Sequence, residues 1–481
     1  MHVWLLQPTP HRRTIFLTRH EPGKGAQPGE RPLAMALTVT GDRCALSLVE
    51  AARLDWKGMR RLTSPHGRAY GCLGLLRIQD DIFVAVVSDA ARVGHLRREH
   101  AIYRVRNISF FCVNRATWDM DVSFVEEASE LVPGPSVPVT EHPCAAIRKY
   151  LQSGSFYFSN SPEFDITARV QRTAEASGAA PAYELRFQSR FSWNGYMIQP
   201  MIDYRSRLSP EHRELFDQQG YLLLLMQGYV GIAELPPVPG EPRSTLAVVS
   251  RLSSRKAGTR FNARGLDDEG NAANFVETET LLTCGDTVLS FVQVRGSVPV
   301  FWEQQGLQAL NARIQVTRSQ AASQPAFNRH MEHLLEEYGP VFALDLLGTR
   351  DAEEALSHAY VQHVDSFVRT WREEADEAGE QMPVRYFHFD FHTTARMAGG
   401  IEGVRPEFDR LVNVQTARQR QGVTFAQGTG GAALETGTLR PLEVQTGVFR
   451  VNCLDCLDRT NVVQGSVSYT HLRAHETEAD L

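Results

Sequence analysis

The sequence predicts an α/β protein: a β-rich N-terminal subdomain, then a larger domain whose central mixed, largely parallel sheet is flanked by helices. Three observations predict it. Short apolar or alternating runs crowd the first quarter of the chain, as strands do. Helical and strand-like segments alternate between residues 325 and 391, the pattern of a sheet with helical crossovers. An apolar run, a tight loop and a helix start then follow one another between residues 447 and 461.

Taken in order, strand character marks residues 34–39, 69–78, 82–87 and 109–113. A Pro- and Gly-rich stretch at 132–143 interrupts them, and 145–151 reads as a short helix. The Ala- and Gly-rich run 174–181 is either a domain boundary or a surface loop, since composition alone allows both. A second proline cluster, 236–242, reads as a rigid surface loop, and 246–252 as a strand. Beyond lie a helix at 325–338, a strand at 341–347, a long helix at 351–375 and a strand at 384–391. The long helix gathers Leu356, Tyr360, Val364, Phe367, Val368 and Trp371 on one face, which has to be buried. Residues 421–437 are rich in Gly and Thr. No apolar strand leads directly into Gly428-Thr429-Gly430-Gly431, so a flexible loop is expected there and not a nucleotide loop.

At 481 residues the chain exceeds one ordinary domain, and 42% hydrophobic with 22% charged residues is a globular composition. A formal net charge of −6 argues against a generic nucleic-acid binder. The seven cysteines are odd in number and scattered, which is cytosolic usage and not a disulfide framework. Val3 to Leu6 is too short an apolar run for a signal peptide. The longest purely apolar runs, 82–87 and 221–226, fall far short of the roughly 20 residues a membrane helix needs. A cytoplasmic protein with at most peripheral membrane contact is expected.

The chemistry is concentrated in Arg450-Val451-Asn452-Cys453-Leu454-Asp455-Cys456-Leu457-Asp458-Arg459-Thr460-Asn461. Cys453 has an arginine six positions on; Cys44, Cys72, Cys112, Cys144, Cys284 and Cys456 do not. Five intervening residues let the backbone close into a loop with converging N–H groups, and such a loop opening onto a helix N-terminus cradles an anion. The backbone of Leu454, Cys456, Leu457 and Asp458, with Asn461, is therefore the candidate substrate cradle. The same partial positive charge, with Arg459 nearby, is expected to pull the Cys453 thiol below its ordinary value of about 8.5. Arg459 offers a planar fork to two phosphoryl oxygens, and Thr460 can donate to the departing sulfur. This is the chemistry of a cysteine-dependent phosphatase: Cys453 attacks phosphorus, water hydrolyses the phosphocysteine, and no metal or other cofactor is needed. A general acid must protonate the leaving oxygen, and Asp455, Asp458 and Asp390 (beside His392) are the candidates. Asp458 reads equally as a partner that orients Arg459, and Asp390 with His392 as a satisfied polar pair at a strand end. Asn452 and Asn461 are expected to brace the loop by side-chain to backbone bonds, and Arg450 to pair with a nearby aspartate. Cys453 and Cys456 could also form a redox couple or half a zinc site, but no second pair and no thioredoxin-like context accompany them.

Arg251, Arg255, Lys256, Arg260 and Arg264 form the densest basic stretch, with no acid among them. Either it is a solvated edge, or Arg255, Lys256 and Arg260 face substrate phosphates or anionic lipid.

The string from Arg450 to Asn461 resembles the signature of the Sac-domain phosphoinositide phosphatases. The likeness extends to Ser250-Arg251-Leu252-Ser253, Ala257-Gly258-Thr259-Arg260-Phe261, Asn274-Phe275-Val276-Glu277-Thr278-Glu279 and Arg295-Gly296-Ser297-Val298-Pro299, which are most similar to the synaptojanin-type branch. Val93-Gly94 and Ile102-Tyr103-Arg104-Val105 resemble the family's non-catalytic N-terminal subdomain, and Phe191-Ser192-Trp193-Asn194-Gly195 the opening of its catalytic domain. The resemblance implies a non-catalytic subdomain at 1–180 and a cysteine-phosphatase-like catalytic domain at 181–465. It implies dephosphorylation of 3- and 4-monophosphorylated phosphatidylinositols, with the 3,5-bisphosphate a further candidate. The implied partners are phosphoinositide lipids and an anionic membrane surface, with no nucleic acid. Among the acids it favours Asp455. Synaptojanin-type proteins carry a separate 5-phosphatase domain downstream, of which this chain shows no trace, so that activity is not expected. Residues 466–481, with Ser468-Tyr469-Thr470-His471-Leu472-Arg473-Ala474-His475, resemble a translated adapter and are expected to be a non-native tail. A catalytically inactive lipid-binding module, a thiol redox module and a protein tyrosine phosphatase are the alternatives. The intact Cys453 and Arg459 weigh against the first.

Overall fold

The computed structural model describes residues 1–9, 12–20, 31–41, 43–63, 69–96, 101–119, 141–161, 164–172, 189–237, 239–240, 242–258, 263–285, 287–305, 313–349, 351–374, 382–412, 424–428, 439–455 and 458–478. They fall into two compact units. The first holds the described residues up to Ala168 together with 189–229; the second holds 169–172 and the chain from Val230 onward. The runs 132–140 and 174–181 lie outside the described residues.

The first unit is β-rich. β1 (His2–Thr9), β2 (Arg12–Thr18), β3 (Leu33–Thr40), β4 (Arg43–Glu50) and β5 (Arg60–Arg61) form an antiparallel sheet in the order β4-β3-β2-β1-β5. β6 (Gly71–Ile78), β7 (Asp81–His95), β8 (Ala101–Cys112) and β9 (Phe156–Ser159) pair antiparallel in chain order. Met226 and Gln227, which open β10 (Met226–Glu234), pair with β9. Among the described residues the unit also holds the helices α1 (Ala145–Leu151), α2 (Gly195–Ser206) and α3 (Pro210–Gln219). The apolar run 82–87 is unbroken because β7 is covered on both faces. Ile82, Val84 and Val86 join a core with Ile198 and Met201, whereas Phe83, Ala85 and Val87 join another with Phe156 and Phe158.

The second unit is the α/β layer. Its strands are β11 (Ser244–Leu252), β12 (Val276–Cys284), β13 (Thr287–Arg295), the hairpin β14 (Trp302–Gln305) and β15 (Arg313–Val316), β16 (Val341–Asp345), β17 (Val384–His388), β18 (Thr424–Gly428), β19 (Leu439–Glu443) and β20 (Val448–Asn452). Its helices are α4 (Gln320–Tyr338), α5 (Asp351–Glu374), α6 (Phe391–Met397), α7 (Ile401–Val412) and α8 (Asp458–Glu478). The sheet order β17-β16-β20-β13-β12-β11 is mixed, as expected, and its two halves differ. β17, β16, β20 and β13 are parallel, with helices between consecutive strands, whereas β13, β12 and β11 are antiparallel. Only an antiparallel pair can be joined by the two residues that separate β12 from β13.

The stripe on α5 is buried as its spacing requires: Leu356, Tyr360, Val364, Phe367 and Val368 are all inside, and Phe327 of α4 stacks edge-on against Tyr360 and Phe367. Gly339 turns α4 into β16 with φ 79°, and a Cβ there would lie 2.3 Å from the Thr446 carbonyl oxygen. Only glycine lets that turn approach the start of β20 so closely.

Two expectations are corrected. The strand expected to reach residue 391 stops at His388, because Asp390 caps α6. The loop expected at 421–437 contains β18, which pairs antiparallel with β13 and β19; the rest of that segment lies outside the described residues. At the other end, α8 continues to Glu478, with its side chains described as far as Ser468.

Candidate active site

In a parallel sheet the carboxyl ends of the strands point their following loops to one edge, where sites assemble. Here those ends bring four segments together in the second unit: Arg295 to Ser297 after β13, Leu346 to Glu353 after β16, Asp390 after β17, and Cys453 onward after β20. β20 is buried throughout and sits between β13 and β16, parallel to both. The loop that follows it opens directly onto the N-terminus of α8, whose unpaired N–H groups carry partial positive charge.

Cys453 is 2% exposed and packs among Phe389, Phe391, Val451 and Val463. Thr460 Oγ1, fully buried, donates to its Sγ at 3.2 Å. Arg459 Nη1 donates to the Leu346 carbonyl and to Glu353 Oε2, each at 3.2 Å, and Nη2 donates to Glu353 Oε1 at 3.0 Å. Gly348 N–H also donates to Glu353 Oε2, at 2.6 Å. Burial pushes the Glu353 carboxyl upward. The hydrogen bonds from Arg459 and Gly348, with the charges of Arg459 and His392, outweigh that and hold it below the usual glutamate value.

Asp455 is gripped from a different direction. Arg264 Nη2 donates to Asp455 Oδ1 at 2.8 Å and to Gln304 Oε1 at 2.7 Å, while Nη1 donates to the Leu454 carbonyl at 2.9 Å. The Arg264 guanidinium lies over the Trp302 ring, 5.2 Å from its centroid. Gly265, with φ 62°, keeps this arginine in place: a Cβ there would meet the Val300 carbonyl oxygen at 2.3 Å, and its N–H donates to Ser297 Oγ.

Beneath the loop lies a largely buried polar network. Arg450, fully buried, donates to Asn452 Oδ1 at 3.0 Å and to the Ser297 carbonyl. Asn452 Nδ2 donates to Asp345 Oδ1 at 2.6 Å, and Asp345 Oδ2 accepts from Ser357 and Tyr386 at 2.6 and 2.7 Å. Asn452, Asp345, Ser357 and Tyr386 lie on β20, β16, α5 and β17, so their bonds tie the floor of the loop across four elements.

Several expectations shift here. Arg459 is oriented by Glu353, not by Asp458, which is exposed at the first turn of α8. Asn452 and Asn461 brace the site through side chains and not backbone: Asn452 bonds Asp345, and Asn461 Oδ1 accepts from Arg295. Arg450 reaches Asn452 and Ser297 where an aspartate partner was expected. Asp390 caps α6, accepting from the N–H and hydroxyl of both Thr393 and Thr349. Although burial opposes it, these four donors hold its carboxyl at about 2. An acid that strong stays ionised at neutral pH and has no proton to give. His392 is exposed.

The basic stretch is also not what it looked like. Arg251 is fully buried and paired with Glu277 at 3.0 Å and Glu279 at 2.6 Å, and Arg264 holds Asp455. Arg255 is exposed and Lys256 half-buried, with the Lys256 charge acting on Asp268, which also bonds Arg318. Arg260, Cys456 and Leu457 lie outside the described residues.

Residues 70–396 match the family model of the SacI homology domain. The chain belongs to that family. This Sac domain is 34% identical over 437 residues to inositol-1,4,5-trisphosphate 5-phosphatase 1 of Schizosaccharomyces pombe, covering 89% of the chain and 38% of that relative. It is 32% identical over 459 residues to polyphosphatidylinositol phosphatase INP53 of Saccharomyces cerevisiae (93% and 37%), and 32% identical over 408 residues to human synaptojanin-2 (83% and 23%). The Sac domain thus spans less than two fifths of the length of these curated relatives. Among its described residues, no helix is long and apolar enough to cross a membrane.

Glu353 and Asp345 are the site residues that sequence reasoning missed. Their only signal was position: Asp345 is the one charged residue in the predicted strand 341–347, and Glu353 sits in the first turn of the helix that follows it.

Proposed function

We propose that this Sac domain is a phosphatase that removes phosphate from phosphatidylinositol phosphates, the 3- and 4-monophosphates first and the 3,5-bisphosphate as a further substrate. The observation that supports it most directly is the 3.2 Å contact from Thr460 Oγ1 to Cys453 Sγ at the mouth of α8, with Arg459 immediately before Thr460. A hydroxyl donating to sulfur stabilises a thiolate, and a helix N-terminus stabilises the phosphoryl dianion beside it. In the proposed reaction the Cys453 thiolate forms a bond to phosphorus while the bond from phosphorus to the inositol oxygen breaks. Asp455 protonates that oxygen. Water then attacks phosphorus and gives a proton to the Asp455 carboxylate, and the thiolate leaves with Thr460 donating to it. Arg459 and the loop N–H groups, including those of Leu454, Cys456, Leu457 and Asp458, bind the phosphoryl oxygens. The names of the relatives, which speak of inositol phosphate and phosphoinositide phosphatases, agree with this substrate class.

We assign catalysis to the domain that resembles the family's catalytic part, 181–465, and propose a cytoplasmic protein that meets its lipid substrate peripherally. The test is phosphate release from a panel of all phosphoinositides and a phosphotyrosine peptide, with and without chelator. Release from 3- or 4-monophosphates that persists in chelator is expected, is abolished by Cys453→Ser and survives Cys456→Ser. Release from the peptide alone would make the protein a tyrosine phosphatase. Equal loss in both cysteine variants, with folding intact, would sink the single nucleophile.

A further inference from the structure

We propose that Glu353 is a positioning residue that presents one particular edge of Arg459 to the phosphoryl group. The proposal rests on the phosphatase reading for its substrate but not for its geometry. A guanidinium has two forks: an end-on edge made by Nη1 and Nη2, and a side-on edge made by Nε and Nη2. Glu353 occupies the end-on edge with both oxygens, Oε2 to Nη1 at 3.2 Å and Oε1 to Nη2 at 3.0 Å. The second Nη1 hydrogen goes to the Leu346 carbonyl. Among the described residues, the Nε hydrogen and the second Nη2 hydrogen have no partner. Those two belong to the side-on edge, so one complete bidentate fork remains for two phosphoryl oxygens.

This decides between two readings of the ion pair. Had Glu353 taken the side-on edge, or one nitrogen of each, it would compete with the substrate and act as a plug. Occupying the end-on edge alone, it fixes the plane and rotation of the guanidinium and leaves the useful fork open. Glu353 is itself held. Gly348 N–H donates to Oε2, and the helix α5 that bears Glu353 is anchored by its buried stripe. Holding a planar group in advance avoids the entropy cost of ordering it when the anion arrives. Its carboxylate is kept ionised by the same contacts, so the clamp stands at neutral pH.

The test reads oxyanion binding apart from turnover. Orthovanadate affinity is measured for the full chain, for Glu353→Gln, for Arg459→Lys and for the double variant, beside kcat and KM on a short-chain phosphoinositide. Losing a charged hydrogen-bonded partner is worth a factor of roughly ten to a hundred, so Glu353→Gln should weaken orthovanadate binding by that much. In the Arg459→Lys background, which lacks the fork, Glu353→Gln should add less than about twofold, because coupled residues are non-additive. Wild-type affinity in Glu353→Gln, or full additivity in the double variant, overturns the proposal. If Glu353→Gln does not fold, Glu353→Asp replaces it: the shortened side chain should weaken binding in the same direction, and unchanged affinity again overturns the clamp. Orthovanadate binding that depends on Glu353 in a protein releasing no phosphate from any phosphoinositide would keep the clamp and defeat the phosphatase reading.

Discussion

Two arginine–carboxylate networks in the second unit use the same side chains for different ends. In one, Arg251 bridges Glu277 and Glu279 with side chains 1%, 2% and 0% exposed, and Tyr338, Ser290 and Val170 complete the carboxylates' bonding. In the other, Arg459 meets Glu353 with 13% and 20% exposure and keeps one edge of its guanidinium open. The first has spent its hydrogen-bonding capacity inside the sheet. The second leaves two guanidinium hydrogens without a partner among the described residues. The difference teaches that a charged cluster is structural where the fold completes its bonding, and is a candidate site where its bonding is left incomplete at the surface.

That contrast can be broken by mutation. The largest expected effect is on turnover. Arg459→Ala should lower kcat by about a hundred- to a thousand-fold, the loss typical of a transition-state donor, with little change in melting temperature. Steady-state kinetics beside a thermal melt decide it, and a variant that unfolds while its folded fraction stays active would reverse the assignment. Next, Glu279→Ala should do the opposite. Removing one of the two carboxylates that hold Arg251 in a dry interior should cost up to about 3–5 kcal/mol of stability, read from a denaturant titration, while turnover per folded molecule stays near wild type. A stable Glu279→Ala protein would show that the buried network contributes little.

A smaller effect is expected where charge is partly compensated. If Arg255 and Lys256 face anionic lipid, each is worth about 1 kcal/mol near the surface, so the double change to Glu should weaken binding to phosphatidylserine-rich vesicles roughly ten-fold, and less at high salt. Turnover of a short-chain substrate should move far less. Vesicle binding that is indifferent to the double change makes this segment a solvated edge.

The smallest effect concerns the α6 cap. The Asp390 carboxyl is depressed to about 2, so its stabilisation is present above the ordinary aspartate value near 4 and disappears as pH falls towards 2. Asp390→Ala should cost about 1 kcal/mol at neutral pH, as a lost cap does, and the gap between variant and wild type should close in acid. A gap that stays constant down to pH 2 would mean the cap acts sterically and not through charge.

Fold class was legible because periodicity is a local property. The stripe on α5, the apolar run of β7 and the strand before Cys453 each announce themselves within a few turns or a few residues. The end of β17 also had a local signal, Asp390 accepting from the Thr393 N–H three residues on, whereas the existence of β18 had none, because that strand exists only by pairing with β13 and β19. The same division runs through the site. The spacing from Cys453 to Arg459 and Thr460 is a property of one short loop, so the sequence by itself determined it: the contact from Thr460 to the sulfur requires nothing from elsewhere in the chain.

What surrounds that loop was decided only by tertiary structure. Glu353 lies 106 positions from Arg459, and Arg264 lies 191 from Asp455. No local rule links residues so far apart, and for that reason Arg251 and Arg264, which read as one exposed basic run with Arg255 and Lys256, became a buried brace and a clamp on the loop. A charge advertises its sign in the sequence, but whether it meets water, a carboxylate or a ligand depends on which strands the sheet sets side by side.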